Sequence, residues 1–339
     1  MKSITAIILS LVIAQAVSAQ NADSANFYYH KGIEEKSAAR FMVAEKFFTK
    51  AIQFDAKHKD AILQNGYTNL LMRKTDAAKG WFTKLYDIDP NSQPAIKELA
   101  TLYFEYRQFA KAIEFAGKCT TCDNAEKIIA ISNYNLEDYG AAVKGLLNVV
   151  AKTPNDAEAT YTLARSYLDM EQYKQAVPYY NKAVALDAAK NVWAYELGLL
   201  YYNLNDFKNA VTFFNKAAAA GYPQGNDFLE NLGYAYVYSG ETDKGEKMLL
   251  SVLDRKPGNT SILRDMAEAF YNQKLYDKSL DYCQKLMQAD IKDAKALYQA
   301  GLCFLKKGQK EKGQGMCDKA IEMDPSLASK RQKSMTMGL

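Results

Sequence analysis

The stretch YKQAVPYYNKAVALDAAK, residues 173–190, is echoed by FKNAVTFFNKAAAAGYP, residues 207–223. Tyr173 returns as Phe207, Ala176 as Ala210, Tyr180 as Phe214, and Asn181-Lys182-Ala183 as Asn215-Lys216-Ala217. Small residues stay small across the echo and aromatics stay aromatic. Working outward in both directions, a small residue recurs at Ala44, Ala78, Ala112, Ala142, Ala176, Ala210, Gly245, Ser279 and Gly313, at spacings of 34, 34, 30, 34, 34, 35, 34 and 34. Twelve residues before each stands another: Gly32, Gly66, Ala100, Ala130, Ala164, Gly198, Gly233, Ala267 and Gly301. Nine pairs at one separation are a structural repeat.

The physical reading is a helical hairpin. Two helices joined by a short turn approach closely only where both lack bulk, and larger residues such as Leu163, Tyr167 and Tyr180 surround that spot at helical spacing. Polar stretches DMEQ (169–172), NLND (203–206) and SGETD (239–243) supply the turns. Pro90, Pro154, Pro223, Pro257 and Pro325 then mark exits, because proline cannot continue a helix.

This pattern resembles the tetratricopeptide repeat, a helix–turn–helix unit of this period. The resemblance implies an all-α, right-handed α-solenoid over residues 25–327. Its nine repeats begin near 25, 59, 93, 123, 157, 191, 226, 260 and 294. The third repeat is four residues short, and the sixth carries one extra residue. Each repeat leaves apolar surface that only its neighbours cover. The tail 328–339 (ASKRQKSMTMGL) is expected to cap the last repeat; Lys330, Arg331 and Lys333 make a basic docking tail the alternative.

Composition fits a globular chain: 339 residues, 48% hydrophobic, with 43 Lys+Arg against 39 Asp+Glu. A net charge of +4 is too balanced for a nucleic-acid surface. Residues 1–19, MKSITAIILSLVIAQAVSA, read as a secretory leader cut before Gln20, with 20–24 a short N-terminal leader to the repeats. A retained anchor is the alternative, but the apolar run is shorter than the roughly 20 residues that span a bilayer. The expectation is therefore a periplasmic protein without stable membrane insertion and with no assigned oligomeric state.

The resemblance also implies a concave groove lined by the first helix of each repeat. Carried over residue by residue, its partner-binding positions are Tyr29, Tyr67, Lys97, Phe104, Lys127, Tyr134, Tyr161, Arg165, Tyr195, Tyr202, Tyr234, Arg264, Tyr271 and Tyr298. Glu230, Val237 and Glu268 fall at further groove positions. Tyrosine joins an apolar face to a hydroxyl at low entropic cost, which suits a peptide partner. Packing between helices is the competing role for each. A clamp for a C-terminal carboxylate is not expected: Lys97 and Lys127 are followed one turn later by Thr101 and Ile131, not asparagine.

No catalytic constellation, cofactor motif or metal site is expected. GETDKGEK (240–247) lacks the lysine directly after the second glycine of a phosphate loop. His30 and His58 have no cysteine or acidic pair at ligand spacing. Of five cysteines, Cys119 and Cys122 can form a local disulfide in the shortened third repeat. Cys283 and Cys317 stand where other repeats have Phe48, Phe82, Tyr180 or Phe214. Cys303 is placed to meet Cys283. The functional expectation is a non-enzymatic envelope adaptor that binds protein segments. A glycan-binding protein is the alternative, although only Trp81 and Trp193 are present to stack on sugars.

Overall fold

A computed structural model describes residues 2–256 and 259–329, with side chains described from residue 20 onward. The segment expected to be a secretory leader, residues 1–19, falls on residues whose side chains are outside the description. Pro257 and residues 330–339 also lie outside the described residues.

Among the described residues there are eighteen α-helices and one 3-10 turn. The chain divides into two compact bodies, Met1–Gln172 and Tyr173–Leu339. The first holds α1 (Lys2–Ser37), α2 (Phe41–Phe54), α3 (Lys59–Leu71), α4 (Thr75–Ile88), α5 (Gln93–Glu105), α6 (Phe109–Lys118), α7 (Ala125–Asn135), α8 (Tyr139–Lys152) and α9 (Ala157–Asp169). The second holds α10 (Tyr173–Leu186), α11 (Asn191–Asn203), α12 (Phe207–Ala219), α13 (Asn226–Ser239), α14 (Thr242–Arg255), α15 (Thr260–Asn272), α16 (Tyr276–Ala289), α17 (Ala294–Lys306) and α18 (Lys310–Met323), then Pro325–Leu327. Within each body, consecutive helices pack on one another. This is an α-solenoid of repeated helical hairpins. No helix among the described residues is long and apolar enough to cross a membrane.

A single left-handed residue makes every hairpin turn. Ala39, Arg73, Arg107, Glu137, Glu171, Asn205 and Lys274 have φ between 56° and 64°, and Gly240 and Gly308 take the same place at 96° and 81°. The amide after each reaches back to the first helix: Gln108 to the Tyr103 carbonyl (2.8 Å), Asp206 to Tyr201 (2.9 Å), Glu241 to Tyr236 (2.9 Å). This is the 6→1 bond of a Schellman cap. The carbonyl of that same residue accepts the next helix's first bond, as Gln108 does from Ala112 (2.9 Å). The residue after the left-handed one thus closes one helix and opens the next. A non-glycine residue there costs about 1–2 kcal/mol, which the packing of both helices offsets.

The small-residue pairs sit where the hairpins are tightest. A Cβ at Gly66 would meet the Phe82 ring at 2.6 Å, and one at Gly198 the Phe214 ring at 2.6 Å. Phe48, Phe82 and Phe214 are fully buried in these notches, each contributing about 1.5–3 kcal/mol of apolar burial. Where the ring is absent the backbones close up instead. A Cβ on Gly313 would lie 2.7 Å from the Gly301 carbonyl, and one on Gly245 would collide with the Gly233 carbonyl. Leu249 and Cys317 occupy the ring position there. In α16 the small residue is Ser279, whose buried hydroxyl donates to the Ala267 carbonyl (2.7 Å).

The shortened third repeat loses its residues from its second helix. α6 has 10 residues where α4 and α8 have 14. Four residues are close to one turn, so the buried face stays in phase. Cys119 and Cys122 form a disulfide across the resulting loop, and Gln93 accepts from the Thr120 amide (2.8 Å). Cys283, Cys303 and Cys317 are buried free thiols. The Cys283–Cys303 bond is not made: Cys303 Sγ donates to Ser279 Oγ instead (3.2 Å), and burial pushes the Cys283 thiol up to about 12.

Candidate partner-binding surface

Most of the first-helix positions named from the sequence fall into three structural roles. Some are staples between successive repeats. On α7, Lys127 pairs with Asp156 and Glu158, each at 2.9 Å, and Asp156 also caps α9 through the Ala159 amide (2.9 Å). On α15, Arg264 makes a two-pronged pair with Asp293 (3.1 and 2.8 Å), and Asp293 caps α17. Tyr29 repeats the register in aromatic form, with its ring 5.2 Å from His58, the residue that caps α3. These side chains tie one repeat to the start of the next. Burial works against both Asp156 and Asp293, yet hydrogen bonds from Ala159 and Lys127, and from Arg264 and Ala296, hold them below the ordinary aspartate value.

Others clasp the hairpin turn. Phe104 lies against Phe109 (6.2 Å), Tyr134 against Tyr139 (5.8 Å), Tyr202 against Phe207 (5.3 Å) and Tyr271 against Tyr276 (5.6 Å). In each the partner is the first residue of the second helix. Tyr134 also donates to Asp169 (2.9 Å), which Arg165 approaches at 3.6 Å. Burial, then Asp169 against the opposing pull of Arg165, raises the Tyr134 hydroxyl to about 12.

A third group packs inward. Tyr298 is only 5% exposed, in a core with Ala294, Cys317, Ala320 and Leu327. The turn Pro325–Leu327 folds Leu327 onto it, so Tyr298 is core and not an accessible lining. Tyr195 stacks on Tyr222 (4.2 Å) and accepts from Asn231 (3.0 Å). Tyr67 lies edge-on to Phe82 (5.4 Å) beneath the Lys36 ammonium (5.4 Å). Tyr161 is half-buried on α9, and Lys97 is exposed on α5.

In the second body two of these positions come together on α11 and α13, with Asp265 of α15 bearing on both. Tyr202 on α11 and Tyr234 on α13 lie in each other's field, joined by Tyr238, 6.5 Å from Tyr202 and 4.8 Å from Phe207. Burial first, then Tyr238 and Asp265, raises Tyr202 to about 12. Burial and Asp265 push Tyr234 higher still. The Tyr234 hydroxyl is shielded from solvent and has no hydrogen-bond partner. Sequence reasoning placed Val237 in this lining, but Val237 is fully buried against the hairpin and Tyr238 takes the outward place. Tyr238 and Asp265 were both missed. Neither falls at a carried-over groove position, and the phase of the repeat is unchanged: Gly198, Asn205 and Phe214 return as Gly233, Gly240 and Leu249, each 35 residues on.

Among the described residues no group of three or more His, Cys, Asp or Glu is placed to hold a metal ion. Residues 161–226 and 230–294 match one tetratricopeptide repeat model, and 294–327 match a second. The chain carries tetratricopeptide repeats. These repeats serve in general as protein-interaction scaffolds. Over 144 residues the chain is 22% identical to anaphase-promoting complex subunit 3 of Schizosaccharomyces pombe, covering 41% of this chain and 22% of that relative's length. Among solved tetratricopeptide structures, YrrB, described as having an unusual peptide-binding site, is 24% identical over 57% of this chain and 100% of its own, with a TM-score of 0.40. The tetratricopeptide domain of P58(IPK) is 15% identical over 93% of this chain and 99% of its own, with a TM-score of 0.29.

Proposed function

We propose that this chain is a non-enzymatic scaffold of the bacterial cell envelope that docks segments of partner proteins on the first-helix faces of its repeats. The observation that carries the reading is the Tyr202, Tyr234 and Tyr238 group. These rings are half-buried on α11 and α13, not enclosed in a hairpin core, and aromatic side chains of this kind anchor interfaces. The leader-like residues 1–19 and the tetratricopeptide repeats support export and scaffolding respectively. The glycan reading rests on Trp81 and Trp193, of which Trp81 packs at the margin of the α2–α5 core beside Lys84.

Chemical cross-linking in the periplasmic fraction, followed by affinity capture, tests this. Replacing Tyr202 and Tyr234 together by Ala is expected to abolish recovery of the cross-linked partner while the helical circular dichroism is unchanged. Undiminished recovery from a folded double variant would overturn the assignment of this face.

A further inference from the structure

The tyrosine face of α11, α13 and α15 also carries three carboxylates, Glu230, Asp265 and Glu268. Among the described residues none of the three makes an ion pair. The adjacent cation, Arg264, is already committed to Asp293. Asp265 bears on Tyr202, Tyr234 and Tyr238 alike. Burial and then Glu268 hold the Asp265 carboxyl above its ordinary value. Burial and then Asp227 do the same for Glu230, against the pull of Lys256. Arg264 pulls on Asp265 and Lys256 on Glu230, yet neither brings its carboxyl down to the ordinary value, so the face keeps acceptors that no ion pair meets. The unpartnered Tyr234 hydroxyl adds a polar atom whose desolvation is not compensated within the chain.

We propose that this face receives lysine or arginine side chains from an extended segment of a partner protein. An ammonium or guanidinium head group is donor-only. It matches carboxylate acceptors, and its cation is drawn to tyrosine ring faces. An acidic segment would add like charge to Asp265 and Glu268, and a purely apolar one would leave the carboxylates buried without partners. The identification rests on the docking reading above and adds the chemistry of the occupant.

Fluorescence anisotropy with the full chain tests it. The probes are a labelled peptide alternating lysine and alanine, and its counterpart with glutamate for lysine. The lysine peptide is expected to bind with an affinity that falls steeply with salt, and the glutamate peptide not to bind. Asp265→Asn with Glu268→Gln, both at exposed positions, is expected to weaken the lysine peptide about tenfold or more. Equal binding of the two peptides, or unchanged binding by the folded charge variant, overturns the proposal. The two readings fail separately. If the tyrosine variant loses its cross-linked partner while the charge variant keeps it, docking stands and the basic occupant falls; if both variants keep it, both fall.

Discussion

The first-helix faces of the two bodies use the same register differently. In the first body, Lys127 is neutralised by Asp156 and Glu158, and Tyr134 and Arg165 converge on Asp169. In the second, the Arg264–Asp293 staple repeats the Lys127–Asp156 pairing, but among the described residues Glu230, Asp265 and Glu268 beside it make no ion pair. Tyrosines stand on both faces. On the docking reading proposed above, what separates the α7–α9 face from the α13–α15 face is whether its charges are paired within the chain, although Glu98 on α5, raised by burial, shows that a carboxylate without an ion pair also occurs in the first body. Aromatic content alone does not distinguish them.

The largest contrast to test lies in the hairpins. Gly245 on α14 faces the Gly233 carbonyl and Val237, while Gly80 on α4 has open space where a Cβ would go. Gly245→Leu is expected to cost about 3 kcal/mol in urea denaturation, because the two backbones would be forced apart. Gly80→Ala is expected to gain up to about 1 kcal/mol. Equal effects would erase the distinction between contact and surface glycines.

A smaller effect separates the staples from the open face. Asp156→Asn keeps a good helix cap but removes the charge that Lys127 meets, and is expected to cost about 1 kcal/mol at neutral pH after solvent screening. Asp156 has a folded pKa below its ordinary value. Its contribution is thus present above the ordinary aspartate range and is lost as pH falls through the folded value. The gap between wild type and variant should close in acid, as denaturation curves at neutral and acid pH will show. A gap independent of pH would mean the pair is not electrostatic.

The smallest effect has the opposite sign. Asp265 has a folded pKa above its ordinary value, so it favours the folded state most below the ordinary range and loses that advantage as pH rises through the folded value. Asp265→Asn should therefore raise stability at neutral pH by a few tenths of a kcal/mol. A loss would show that this carboxylate is satisfied within the chain.

The hairpins were legible because close approach permits only glycine, alanine or serine, and that demand recurs visibly from Gly32 to Gly313. The turn geometry was not: seven of its left-handed residues, among them Arg73 and Glu171, are not glycine, and local sequence carries no mark of a conformation imposed by two packed helices. The surface was legible only in part. A residue type shows neither whether Lys127 will find Asp156 nor whether Tyr298 will be covered by Leu327. On α13 Val237 is buried and Tyr238 half-buried beside it, a difference of one step that a carried-over position does not register.

The one-residue joint between paired helices has a consequence for how such a chain changes length. Because main-chain bonds, not a particular side chain, define the joint, a duplicated or excised block brings its own ready splice. Growth in whole blocks is structurally permissive; a smaller change inside a helix keeps the buried face in phase as a whole turn, whereas the connection between repeats takes a single extra residue, as before α13. The second helix of the third repeat, close to one turn shorter than α4 and α8 and followed by the Cys119–Cys122 disulfide, fits that rule.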